Sequence, residues 1–163
     1  MGVTKTEDIA ALLQSGYRYA YSLVHDQYRA EDVLQEAWLA MLKANGEQSK
    51  PYLFTAIRSR FLNIYKKEKL APLIPLDDIT ETRDASTEEN DSYYVDQYDL
   101  EDGLSLLRVV ERETLFLVVV EGYTAQEVAD FTNQARGTIL SLLHRAKKKV
   151  RKHLQNKNGQ ATA

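Results

Sequence analysis

The residues from Asp77 to Asp102, DDITETRDASTEENDSYYVDQYDLED, hold eleven acids against one base, Arg83, a formal charge of -10. A run of like charge with so little aliphatic content repels itself and cannot bury enough apolar surface to fold alone. It therefore divides the chain. The whole sequence has 21 basic and 24 acidic residues, so the remainder carries 20 and 13, a net +7. Two basic blocks, residues 1–76 and 103–163, are expected as small domains on either side of an acidic linker spanning 77–102. The linker reads as a solvated, mobile tether. The sharper alternative is that its charge imitates a nucleic acid and occupies a basic channel on a partner.

Few breakers interrupt the blocks, with three Pro and seven Gly in 163 residues, and Leu, Ala, Glu, Lys and Arg are common. That composition favours an all-α fold. With no Cys, disulfides and thiolate metal sites are excluded. The start, MGVTKTEDIA, lacks a basic-then-apolar signal pattern, and no run approaches the roughly 20 apolar residues of a membrane span. A cytoplasmic protein without a membrane span is the expectation.

In the first block, Leu13, Tyr17, Ala20, Tyr21 and Val24 share one helical face. Asp26 can cap a second helix, expected from about Tyr28 to Ala44, with Leu34, Ala37, Trp38, Met41 and Leu42 on one side and Asn45-Gly46 as its stop. Pro51 suits the first turn of a third helix, which turns Leu53, Phe54, Ile57, Phe61, Ile64 and Tyr65 inward. Its other side carries Arg58, Ser59, Asn63, Lys66 and Lys67, bases and amides beside ring residues. Such a face can hold phosphates and stack unpaired bases, or it can be a plain solvated face. Glu31, Asp32, Gln35 and Glu36 on the second helix read either as a partner-binding face or as ordinary dipole chemistry of a first turn. Pro72 and Pro75 close the block.

The second block is richest in signal between Thr124 and Leu154. Thr124 and Glu127 have the spacing of a capping box that starts a short helix, Ala125–Thr132. Asn133 sits where a tight turn needs φ > 0. A longer helix is expected from Arg136 to Leu154. Ala129, Asn133 and Ile139 are spaced as in a helix-turn-helix: a small residue for close approach, a turn, and an apolar residue entering the core. Lys147, Lys148, Lys149, Arg151 and Lys152 would attract phosphates without reading bases. LFLVVV, Leu115–Val120, is β-branched, yet it lies between helical patterns with no strand to pair with, so a helix is expected there. No Ser–His–acid, metal-ligand or Gly-rich phosphate-loop spacing occurs, and His25, His144 and His153 are scattered. Neither an enzyme nor a cofactor is expected.

Taken together, these blocks resemble a bacterial sigma factor of the extracytoplasmic-function (ECF) group of the sigma-70 family, from about Leu13 to Leu154. AEDVLQEAWLAML (Ala30–Leu42) is similar to the family segment that docks on the β′ clamp helices of core RNA polymerase, with Asp32, Gln35 and Glu36 on its polar positions. YLFTAIRSRFLNIYKK (Tyr52–Lys67) is similar to the helix that reads and opens the minus-ten element. EGYTAQEVADF and GTILSLLHRAK resemble the minus-thirty-five reader. There the resemblance implies that Arg136, Gly137, Thr138, Ser141, His144, Arg145 and Lys148 face DNA. It also implies contact with the polymerase β flap, promoter DNA as a partner, an anti-sigma factor, and passage of the acidic linker through the polymerase's RNA channels.

The chain departs from the family pattern at several positions. Ser59 and Asn63 stand where the family usually has Asn and Asp, and Leu107-Arg108-Val109 replaces a Leu-Pro-Pro turn. Ala135, Leu140 and Leu142 replace a Ser and bases. Two other readings therefore stay open: a helix-turn-helix regulator with an unrelated N-terminal domain, and a sigma-like adaptor that binds polymerase without reading DNA.

Overall fold

The computed structural model describes residues 5–70 and 97–161, and every regular element among them is helical. The first domain is a bundle of α1 (Lys5–Val24), α2 (Gln27–Lys43) and α3 (Lys50–Leu70), each packed on the other two. Asp26 caps α2, accepting a hydrogen bond from the Arg29 amide at 2.9 Å. His25 and Asn45 take left-handed conformations, φ 49° and 52°, and turn the chain between helices. Gly16 lets α1 lie close against its neighbours, since a Cβ there would come within 2.8 Å of Leu53 and 2.9 Å of Leu34. Tyr19, Ala20, Leu23, Ala30, Val33, Ala37, Met41, Leu53, Phe54, Ile57 and Phe61 fill the core. Leu42, expected on the apolar face of α2, is instead 41% exposed at its edge.

The second domain comprises α4 (Gln97–Ser105), α5 (Val109–Leu115), α6 (Ala125–Thr132) and α7 (Arg136–Ala161). The β-branched LFLVVV segment is helical as expected, but Phe116–Val120 widens into a π turn, with the Glu121 amide bonded to the Phe116 carbonyl five residues back. α4 begins inside the stretch expected as linker. Residues 97–102 of that stretch are helical, and α4 packs on α7. Asp99 and Asp102 hold Lys157 of α7 at 3.0 and 2.9 Å, so charges that repel one another in sequence are matched across the helix pair. α7 runs seven residues past the expected Leu154 and carries Lys157 to them. Pro72, Pro75 and the linker residues 77–96 lie outside the described residues.

The two domains lie against each other. α1 packs on α5 and the π turn, and one apolar core runs from Tyr19, Phe54 and Ile57 into Leu117, Val128, Ala129, Ile139 and Leu142. Tyr19 sits at the junction, its ring 4.6 Å from Phe54, 6.0 Å from Phe116 and 6.2 Å from Phe131 by centroids.

Candidate polymerase- and DNA-binding surfaces

On α2, Asp32, Gln35 and Glu36 are all exposed, Gln35 and Glu36 each about one turn on from Asp32. Glu36 is also paired with Arg60 of α3, so one of the three carboxylate and amide groups has an intramolecular partner. Arg29 and Glu68 make a second link between the same helices at 3.6 Å.

On α3, Ser59, Asn63, Lys66 and Lys67 are exposed as expected. Arg58 is not with them. Its side chain is 18% exposed and turned into the domain seam, where Nε donates to Glu113 Oε1 at 2.9 Å. The same oxygen accepts from Tyr19 Oη at 2.6 Å. Burial first, then Glu113, holds the Tyr19 phenol well above its ordinary pKa. Arg58 follows Ile57 of the Ile57–Phe61 core stripe directly in sequence, at the stripe's edge, close enough for its head to cross to the facing domain.

The helix-turn-helix is built as its sequence anticipates. Thr124 Oγ1 accepts from the Glu127 amide at 3.1 Å, and Glu127 accepts from the Thr124 amide at 2.8 Å, closing the capping box. Asn133 ends α6 at φ 55°, and the Gln134 amide reaches the Ala129 carbonyl at 2.9 Å. Ala129 and Ile139 are buried. On α7, Arg136, Gly137, Thr138, Ser141, His144 and Arg145 are exposed and Lys148 is half-buried. Leu142 is 6% exposed and belongs to the core, while Leu140 is 40% exposed beside Ser141. α7 contains no Asp or Glu at all.

Three charged residues of α5 escaped the sequence reading. Glu111, Arg112 and Glu113 are all buried. Arg112 donates to the Ser22 and Leu23 carbonyls at the end of α1, at 2.6 and 3.2 Å, and to Leu107 at 3.2 Å. Glu111 takes Arg108 and Lys149, each at 2.7 Å. The available signal was their position: three consecutive charges between LLRVV and TLFLVVV must interrupt an apolar surface.

The Sigma-70 region 2 family matches residues 9–70, and the Sigma-70, region 4 family matches residues 98–150. Two separate matches in this order, covering both domains, decide the assignment. The chain belongs to the sigma-70 family. The ECF RNA polymerase sigma factor SigL of Mycobacterium tuberculosis is 27% identical over 145 residues, 85% of this chain and 82% of that one. The ECF RNA polymerase sigma factor EcfG of Rhodopseudomonas palustris is 28% identical over 150 residues, 88% and 81% of the two chains. The fold is shared with the sigma factor RpoE of Bartonella quintana, solved in complex with the anti-sigma factor NepR. The TM-score is 0.68 at 21% identity, over 92% of this chain and 96% of that one.

The region 2 match excludes an N-terminal domain unrelated to sigma factors. At the departure from the Leu-Pro-Pro turn, Arg108 has φ -65°, the value proline would impose, and its side chain bonds Glu111. No helix among the described residues is long and apolar enough to cross a membrane.

Proposed function

We propose that this chain acts in the cytoplasm as an ECF-type sigma factor, directing core RNA polymerase to specific promoters and starting transcription. Asp32, Gln35 and Glu36 meet the β′ clamp helices. Arg58, Ser59, Asn63, Lys66 and Lys67 take the minus-ten element, where Asn63 hydrogen-bonds a base edge and the lysines hold phosphates. Arg136, Gly137, Thr138, Ser141, His144, Arg145 and Lys148 take the minus-thirty-five element, with the β flap beneath their domain. Nucleotide addition belongs to the polymerase; this chain supplies recognition and captures unpaired bases. An anti-sigma factor restrains it until a signal arrives.

The observation that carries the reading is the pairing of two exposed faces of different chemistry in family order. One is acidic, on α2; the other is the basic, acid-free side of α7. The test is run-off transcription over a promoter library with purified core polymerase. Defined promoters that fire only with this protein are the expected result. Polymerase binding without any promoter firing favours the adaptor, which the exposed Leu140 on the reading side would suit.

A further inference from the structure

A cavity of about 230 Å³ opens where α3, the π turn and α6 meet. Its floor is apolar and closed, since Phe54, Leu117 and Val128 are each 2% exposed or less. Pro51, Tyr123 and Phe131 form its rim, and Glu127 is the charged residue among those that line it. The rim residues and Glu127 are half-buried or exposed, so the cavity communicates with solvent. A dry void of about 150 Å³ holds a benzene ring, so this one has room for a single ring and a short chain.

Local structure fixes these walls in place. Pro51 stands in the first turn of α3, where its missing amide costs no helical hydrogen bond. Gly122, at φ 78°, turns the chain after the π turn, and the Tyr123 amide reaches back to the Leu117 carbonyl at 3.0 Å, which holds the two residues together. Glu127 is anchored by the capping box, its Oε2 accepting from the Thr124 amide at 2.8 Å. No described residue donates to its Oε1. Glu121, between the π turn and α6, is already matched by Lys50 at 3.0 Å. The cavity thus joins aromatic and apolar walls to one anchored carboxylate that has no cation of the protein beside it.

We propose that this cavity binds a small aromatic amine in its cationic form, an arylalkylammonium, with its ring on Phe54, Leu117 and Val128 and its ammonium at Glu127. Each part of the ligand answers a feature of the site. The closed apolar floor favours a ring removed from water. The carboxylate favours a cationic donor, which makes a charge-assisted hydrogen bond, and the faces of the Tyr123 and Phe131 rings attract the same charge. An anionic ring compound meets Glu127 with like charge, and a neutral one forgoes the charge-assisted bond. Nothing in this binding depends on polymerase or DNA, so it stands apart from the sigma-factor reading. It makes the chain a small-molecule receptor in its own right.

The test titrates the full chain, methyl-labelled at Leu and Val, with phenethylammonium, phenethyl alcohol and phenylacetate in turn. These probes share the ring and differ in charge. With the amine, the Leu117 and Val128 methyl signals should shift along one saturating curve, half-complete at millimolar concentration or below, as suits so small a ligand. The alcohol and the carboxylate should bind at least fivefold more weakly. The thermal midpoint should rise with amine concentration, because the ligand binds the folded chain. Glu127→Gln retains the capping box, in which Gln serves as well as Glu, and removes only the charge. In that variant the amine should weaken at least fivefold while the alcohol stays within twofold. The proposal is overturned if neither methyl signal moves at tens of millimolar amine, or if the alcohol binds as tightly as the amine. It is equally overturned if Glu127→Gln leaves the amine's affinity within twofold of wild type.

Discussion

Arg112 Nε donates to the Ser22 carbonyl at 2.6 Å, so a side chain of the second domain caps the first helix of the first domain. The last carbonyls of a helix have no partner within it, and the negative end of the dipole favours a cation there. Burial draws the Arg112 pKa downward, although a guanidinium so bonded stays charged. Arg112→Met removes the charge but leaves the Ser22, Leu23 and Leu107 carbonyls buried without their donor. We expect a loss of about 3 kcal/mol or more in urea denaturation. A loss below about 1 kcal/mol would mean that water replaces the guanidinium at no cost.

His25 gives the fold an acid limit. Its Nδ1 is buried without a partner, its Nε2 lies 3.5 Å from Glu101, and Tyr21 is 5.0 Å away by ring centroids. Burial first, then Arg112, lowers its pKa, against an opposing pull from Glu101. The unfolded chain therefore takes up the proton first, so stability rises with pH in this window. The contribution is complete above about pH 6.5, the ordinary histidine value, and is lost as pH falls below it. His25→Asn tolerates the left-handed backbone and should flatten the stability–pH curve between pH 5 and 7. An unaltered curve would show that another group titrates.

The docking face is tested by charge. Asp32→Arg should abolish co-elution with core polymerase while leaving helicity unchanged, because Asp32 is exposed. Glu36→Lys should do the same and also repel Arg60, so a small loss of stability is expected for that variant alone. Both variants co-eluting normally would move the interface elsewhere.

Leu140 and Leu142 should part company on mutation. Leu142→Arg forces a charge into the core and should cost about 3–4 kcal/mol in thermal or urea unfolding. Leu140→Arg should fold normally and, if α7 reads DNA as proposed, shift promoter preference, since the side chain is exposed beside Ser141. An unshifted promoter ranking, with weakened binding to an anti-sigma factor, would assign Leu140 to a protein contact instead.

For Arg145→Ala we expect lost discrimination at one or two adjacent minus-thirty-five base pairs, about 1–3 kcal/mol each, with polymerase binding retained. Replacing Lys66 and Lys67 should instead weaken binding evenly across sequences and lower its salt dependence. Promoter selection at two salt concentrations separates the two kinds of effect. An Arg145→Ala profile identical to wild type would remove this side of α7 from sequence reading.

Local signals lie in the sequence because their causes are local. The Thr124–Glu127 capping box, the left-handed Asn45 and Asn133, the Asp26 cap and the helix-turn-helix spacing each depend on residues within about one turn. The resemblance that named the family rests on the same kind of short-range pattern, as do the exposed Asp32, Asn63 and Ser141. The packing of the two domains is of another kind. Tyr19, Arg58 and Glu113 meet across 94 and 55 residues of chain. No periodicity reports that a charged side chain at Arg58 turns inward, because an amphipathic helix facing solvent and one facing a second polar surface have the same pattern. The acidic residues 97–102 show the same limit. Their charge alone implies repulsion, and it takes partners from distant elements, Lys157 of α7 on Asp99 and Asp102 and Tyr21 of α1 on Glu101, to offset it. The sequence by itself determined the helices, their caps and which polar residues of α2, α3 and α7 stand exposed on shared faces. The tertiary structure decided which charges are spent inside the protein, since a buried charge persists only where distant residues supply its partner.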